Sequence, residues 1–163
     1  MTANRPGELR DYVVDETGFV GCVILNNYQE QEAVMPPKKV VIIDDSKYVV
    51  DKLEQFFTTV MQFDVVATGS DGRFALELYR KYHPDLITLD MMMPNMDGMT
   101  ALKEILKDDP GANVMMVSAV RGDSMLRCMV LGAKGYVEKP LRFSDPAFTE
   151  DFIETLKEIL GQF

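Results

Sequence analysis

The stretch Leu86-Ile87-Thr88-Leu89-Asp90 constrains this chain more than any other, because a short apolar run stops there at a lone carboxylate. Met91, Met92 and Met93 follow, and Pro94 closes the segment. A run of this length between turn signals suits a strand buried on both faces, which requires helices above and below the sheet. In open α/β sheets, chemistry sits just beyond the carboxyl ends of such strands. Asp90 is therefore the residue against which every other candidate is weighed.

The same pattern recurs on both sides of it. Residues 40–43 form an apolar run that ends at Asp44-Asp45, and Ser46 is placed to cap a helix with Val49, Leu53, Phe56, Phe57 and Val60 on one face. Residues 64–68 read as a second strand, and 69–72 turn into a helix with Ala75, Leu78, Tyr79 and Tyr82 inward. Beyond Asp90 come a helix over 98–107, a strand over 113–118 and a helix over 123–131. A short strand over 135–138 stops at Lys139-Pro140. The last helix begins at Asp145 or Thr149, with Phe152, Ile153, Leu156, Ile159 and Leu160 as its stripe. Strands alternating with helices predict an α/β fold, a doubly wound five-stranded parallel sheet, because right-handed crossovers place helices on both faces.

Residues 1–37 stand outside that repeat and are read as an N-terminal extension, with the domain proper over 38–163. Within the extension, 12–14 and 19–25 read as strands joined by Asp15-Glu16-Thr17-Gly18, which makes it β-hairpin-like. An isolated hairpin is marginal in water, so this one is expected to pack on the domain, pair with a sheet edge, or join two copies as a homodimer. Residues 26–39 are polar and contain Pro36-Pro37, the composition of a short stiff linker. The chain stops soon after the last helix, so no separate output domain is expected.

Composition removes several function classes. A net charge of -9 and a pI near 4.6 argue against general binding to nucleic acid or an anionic membrane surface. No apolar stretch approaches the roughly 20 residues of a membrane span, and the polar N-terminus lacks a secretory core, so a cytoplasmic location is expected. Cys22 and Cys128 fit no zinc or redox spacing and are read as small buried hydrophobes. His83 is the only histidine and precedes Pro84 in a loop, so a His-based catalytic triad has nothing to build on. Met91, Met93, Met115 and Met116 are read as core filler.

A parallel sheet delivers Asp44, Asp45, Asp90, Ser118 and Lys139 to one edge. Each alone has an ordinary explanation as a cap, a turn residue or a solvated charge. Together they fall at four strand ends, and that coincidence favours a shared role. Three carboxylates in a small volume raise one another's pKa, and a hard dication such as Mg2+ or Mn2+ relieves the conflict. Asp90 is then free to act as a nucleophile toward phosphorus, with Lys139 and Ser118 contacting phosphoryl oxygens.

The motifs Val-Ile-Ile-Asp-Asp-Ser at 41–46, Leu-Asp-Met-Met-Met-Pro at 89–94, Met-Asp-Gly at 96–98, Ser-Ala at 118–119 and Gly-Ala-Lys-Gly-Tyr-Val-Glu-Lys-Pro at 132–140 resemble the receiver (response-regulator) domain of chemotaxis and two-component signalling. The resemblance runs over 38–163 and implies the flavodoxin-like strand order 2-1-3-4-5. It implies Asp90 as the phosphoacceptor, Asp45 as a direct metal ligand, Asp44 acting largely through water, and the Met92 backbone carbonyl completing the protein's share of the metal shell. Ser118 and Lys139 match the hydroxyl and lysine that read the phosphoryl group, and Tyr136 matches the aromatic that moves inward with the hydroxyl. Met92 and Val120 match positions that tune the lifetime of the phosphoryl group, and both are apolar here, so slow hydrolysis is expected. The implied partners are a sensor histidine kinase or histidine phosphotransfer protein upstream. Downstream, the resemblance implies a protein target on the face of the fourth helix, fifth strand and last helix. Such a chain is no enzyme in the ordinary sense, catalysing only its own phosphorylation and dephosphorylation. Two other readings stand beside this one. An Mg2+-dependent Asp-nucleophile phosphohydrolase typically needs a second Asp at position 92, where Met stands. A phosphate-independent interaction module would leave the intact acid pair, serine and lysine without a task.

Overall fold

The computed structural model describes residues 11–14, 20–23 and 35–163, and the chain divides into two units, Met1–Pro36 and Pro37–Phe163. In the first, strands β1 (Asp11–Val14) and β2 (Val20–Val23) pair antiparallel, the arrangement expected of a hairpin. The expected turn at 15–18, the end of the second run at 24–25 and most of the linker lie outside the described residues, as does the Cys22 side chain.

The second unit alternates strand and helix throughout: β3 (Lys39–Ile43), α1 (Lys47–Gln55), β4 (Asp64–Gly69), α2 (Gly72–Tyr82), β5 (Leu86–Leu89), α3 (Gly98–Asp108), β6 (Val114–Ser118), α4 (Asp123–Leu131), β7 (Gly135–Glu138) and α5 (Pro146–Leu160). All five strands are parallel in the order β4-β3-β5-β6-β7. Counted along this unit the order is 2-1-3-4-5, the flavodoxin-like arrangement. Successive residues of the inner strands point to opposite faces, and each face has its own core. Val40, Ile42, Met115 and Val117 meet Leu53, Phe57, Phe152 and Leu156 of the α1/α5 layer. Val41, Ile43, Ile87, Leu89 and Met116 meet Ala75, Leu102, Ile105 and Cys128 of the α2–α4 layer. Burial on both faces is why β5 reads as an unbroken run and not as an alternation.

Local chemistry sets the boundaries. Asp71, Asp97 and Asp145 precede α2, α3 and α5, and each carboxylate accepts a backbone N–H of the first turn. Pro146 at the first position fixes the start of α5 at the earlier of the two expected sites. Ser46 departs from expectation. It precedes α1 without a side-chain cap bond, and its own N–H donates to Asp44 Oδ1 at 2.9 Å. Val60 also departs. After Gln55 the helix widens into a π turn over Phe56–Val60, while the Thr58 and Thr59 hydroxyls donate back to the Glu54 and Gln55 carbonyls at 2.7 and 2.6 Å. The wider turn brings both Phe56 and Phe57 inward and leaves Val60 exposed. Cys128, Met91, Met115 and Met116 are buried and Met93 is half-buried, as core filler should be. His83 is exposed and ends α2 in a left-handed conformation. Among the described residues, no helix is long and apolar enough to cross a membrane.

Candidate functional site

Where the inner strands end, the chain leaves the sheet and polar side chains replace apolar ones. The Asp90 N–H donates to the Ile43 carbonyl at 2.9 Å, which sets the start of the loop after β5 beside the end of β3. The Lys139 N–H donates to the Ser118 carbonyl at 3.0 Å, which does the same for β7 and β6. The result is an acidic cluster: Asp44, Asp45 and Asp90 each offer a carboxylate oxygen, and these oxygens lie within 4.8 Å of one another. Lys139 Nζ is 2.7 Å from Asp44 Oδ2 and 3.3 Å from Asp90 Oδ1. A cavity of about 490 Å³ opens beside Asp44 and Asp45, floored by Val50, Phe74 and Leu78.

The electrostatics of this pocket are unbalanced. Asp44 and Asp90 are both buried, whereas Asp45 is exposed. Burial pushes the Asp44 carboxyl above its ordinary value, and the Lys139 ammonium and the Ser46 amide act against that rise. Asp44 Oδ2 is met by the Lys139 ammonium, which Asp90 Oδ1 shares at 3.3 Å. Three clustered carboxylates with one ammonium in reach of two of them are a donor set that fits a hard divalent cation such as Mg2+.

The remaining expected residues sit around this centre. Ser118 is fully buried at the end of β6, and its hydroxyl accepts the Val120 N–H at 3.2 Å. Tyr136 is half-buried on β7 and its hydroxyl donates to the Val120 carbonyl. Burial raises the Tyr136 phenol, with the Ser118 hydroxyl acting in the opposite sense. Ser118, Val120 and Tyr136 are thus linked through one backbone residue. Met92 lies two residues past Asp90 with 67 % of its surface exposed.

Two contacts near the site are not legible as contacts in the sequence, although Gly98 belongs to the Met-Asp-Gly motif at 96–98. A Cβ at Gly98 would collide with the Asp90 carbonyl, so only glycine lets α3 begin against the backbone of Asp90. The buried Asp71 carboxylate accepts the Asn95 amide at 2.6 Å, tying the turn before α2 to the loop after Asp90. In the sequence, Asp71-Gly72 reads only as a turn before a helix.

Comparison with known proteins points the same way. Residues 40–146 match the response regulator receiver domain. The chain is 39% identical over 102 residues to the chemotaxis protein CheY of Treponema pallidum (strain Nichols), covering 61% of this chain and 70% of that protein. With CheY of Bacillus subtilis (strain 168) it shares 44% identity over 81 residues, 49% of this chain and 68% of the relative. Among solved structures, the CheX–CheY–BeF3–Mg2+ complex from Borrelia burgdorferi aligns with a TM-score of 0.69 and 34% identity, covering 78% of this chain and 92% of that one.

Proposed function

The chain belongs to the response regulator receiver domain family and is of the CheY type, and from that premise we propose that it accepts a phosphoryl group on Asp90 from a sensor histidine kinase or a histidine phosphotransfer protein. The observation that carries the reading is the convergence of three carboxylates within 4.8 Å, with one ammonium in reach of two of them. Asp44, Asp45 and Asp90, with the Met92 carbonyl, would hold Mg2+ or Mn2+, which when bound offsets the charge that builds on the phosphoryl oxygens. The Borrelia burgdorferi relative was solved with Mg2+, BeF3 and a protein partner, CheX, in keeping with both the metal and a role in protein contact.

In the transfer, an Asp90 carboxylate oxygen attacks phosphorus and the P–N bond to the donor imidazole breaks. The electron pair leaves on the ring nitrogen, and the product is a mixed anhydride on Asp90. Lys139, already paired with Asp90, turns its ammonium to the new phosphoryl oxygens. In its bond with Val120 the Ser118 hydroxyl is the acceptor, and its proton would turn to a phosphoryl oxygen. Drawing Ser118 toward phosphate disturbs residue 120 and with it the Tyr136 bond to the Val120 carbonyl. That coupling provides two alternative packings whose balance the phosphoryl group biases. The readout is protein contact on the face of α4, β7 and α5, where Leu126, Met129 and Val130 are exposed.

Incubation with Mg2+ and acetyl phosphate tests this. The expected result is gain of one phosphoryl group in the intact mass, absent in Asp90→Asn, with decay that quickens in a Met92→Asn, Val120→Glu variant. Steady release of phosphate without an accumulating adduct would instead identify a phosphohydrolase. The exposed Met at 92, in place of a second acid, speaks against that outcome.

A further inference from the structure

The loop between Asp90 and α3 has to be held in place if it is to present a carbonyl to a cation. Its near end is fixed by Gly98, whose N–H donates to the Met91 carbonyl at 2.9 Å. Its far end reaches across to the turn that precedes α2. Asn95 stands in the left-handed region at φ 61°, which asparagine tolerates better than most residues. From there its amide donates to Asp71 Oδ2 at 2.6 Å. The neighbouring Met96 carbonyl accepts the Gly72 N–H at 3.2 Å, and a side chain at Gly72 would collide with that carbonyl. Among the described residues, these are the hydrogen bonds that fasten positions 92–96 to another element.

Asp71 is built for more than capping. Its side chain is 4% exposed, a costly placement for a carboxylate unless several donors meet it. The Arg73 N–H donates to Oδ1 at 2.8 Å, while Arg73 Nε donates to Oδ2 at 3.0 Å. The Asn95 amide is the donor that comes from outside the turn. Hydrogen bonds to an ionised acceptor are the short, strong ones, suited to holding a loop.

We infer that Asp71 is a positioning residue for the cation site: through Asn95 it clasps the outer end of the loop that carries the Met92 carbonyl. The inference rests on the proposed metal site. Outer partners that orient metal ligands tune the site, and losing one typically costs about 10- to 100-fold in metal affinity or activity. A purely structural role as the α2 cap predicts something different. Asn95→Gly separates the two, because it keeps the left-handed backbone and the α2 cap and removes only the clasp.

The experiment is calorimetric titration of the full chain with Mg2+ alone, for the wild type, Asn95→Gly and Asp71→Ala. It is paired with amide hydrogen exchange of the metal-free proteins. The expected result is Mg2+ binding weakened about tenfold in both variants, with faster exchange at the Gly72 and Met96 amides. Asn95→Gly binding Mg2+ within about twofold of wild type overturns the clasp, whatever Asp71→Ala does. Weakened binding with unchanged exchange at both amides overturns it too. Should Asp71→Ala fail to fold, Asn95→Gly decides alone. A wild type that takes up no Mg2+ overturns the metal site itself and the clasp with it, whereas wild-type binding that Asn95→Gly leaves intact overturns only the clasp.

Discussion

Ile43, Leu89 and Val117 are withdrawn from water to within 1%, and the residues that follow them, Asp44, Asp90 and Ser118, are withdrawn to within 5%. One step along each strand changes the chemistry and not the burial. In the strand bodies, removing apolar surface from water contributes about 25 cal/mol per Å². At the rim, the same withdrawal strips two carboxylates of solvent and supplies one ammonium to both. The comparison teaches that the site is an expense carried by the core beneath it. On the proposed function, charge held ready for an incoming cation and phosphoryl group would weaken the fold until they arrive.

The strand bodies and the helices packed on them should respond most strongly to substitution. Phe152 is 2% exposed, and its ring meets those of Phe56 and Phe143, each with centroids 5.1 Å away. Phe152→Ala should cost about 3–5 kcal/mol in urea unfolding and leave Mg2+ affinity unchanged wherever the protein is still folded. A cost below about 1 kcal/mol would mean that the α1/α5 layer does not carry the fold as described.

A rim substitution should have the opposite sign. Because burial raises the Asp44 carboxyl in the folded chain, folding favours its protonated form. Its contribution is fully present below the unfolded pKa and is lost as pH rises through the folded value. At pH 7 the wild type therefore carries a penalty that a neutral amide does not. With chelator present, Asp44→Asn should melt a few degrees higher at pH 7, the scale on which about 1 kcal/mol registers in a chain of this size. The advantage should shrink toward pH 4, and added Mg2+ should raise the melting point of the wild type but not of the variant. An unchanged or lower melting point at pH 7 would remove the distinction between rim and body.

The sequence made the rim visible for the reason that makes it costly: Asp44-Asp45 and Asp90 each interrupt an apolar run where a strand should end, and Lys139 follows the short strand over 135–138. The inner strands were legible because burial on both faces leaves an unbroken apolar run, and the α5 stripe because burial of one helix face repeats every 3.6 residues. Other features depend on competition between neighbours. Ser46 has the chemistry of a cap, but its side chain makes no cap bond and its own amide goes to Asp44, two residues earlier. Val60 matches the helical period, but the π turn at Phe56–Val60 changes that period just before it. Asp71 and Asn95 are 24 residues apart, and only the folded sheet brings their two loops together. The Tyr136 bond to the Val120 carbonyl is of the same kind. Side-chain identity locates a charge at a strand end, while loop-to-loop hydrogen bonds exist only once the strands are in order.

The smallest effect concerns a surface that is neither body nor rim. In α4, Cys128 is the buried residue, whereas Leu126 is 57% exposed and Val130 is 87% exposed. An apolar side chain already in water has little burial to lose, so Val130→Lys should shift unfolding stability by less than about 0.5 kcal/mol. Phosphoryl gain from acetyl phosphate should also be unchanged, because a small donor needs the pocket at the strand ends and not this helix. A loss above about 1 kcal/mol would contradict exposure and mean that Val130 is covered in solution. Repeating the unfolding at several protein concentrations then separates two kinds of cover. A concentration-dependent midpoint in the wild type, absent in Val130→Lys, assigns it to a second copy, and an invariant midpoint assigns it to the chain itself. Either result would add a third region to the comparison, one whose apolar surface stabilises the protein only when something else lies over it.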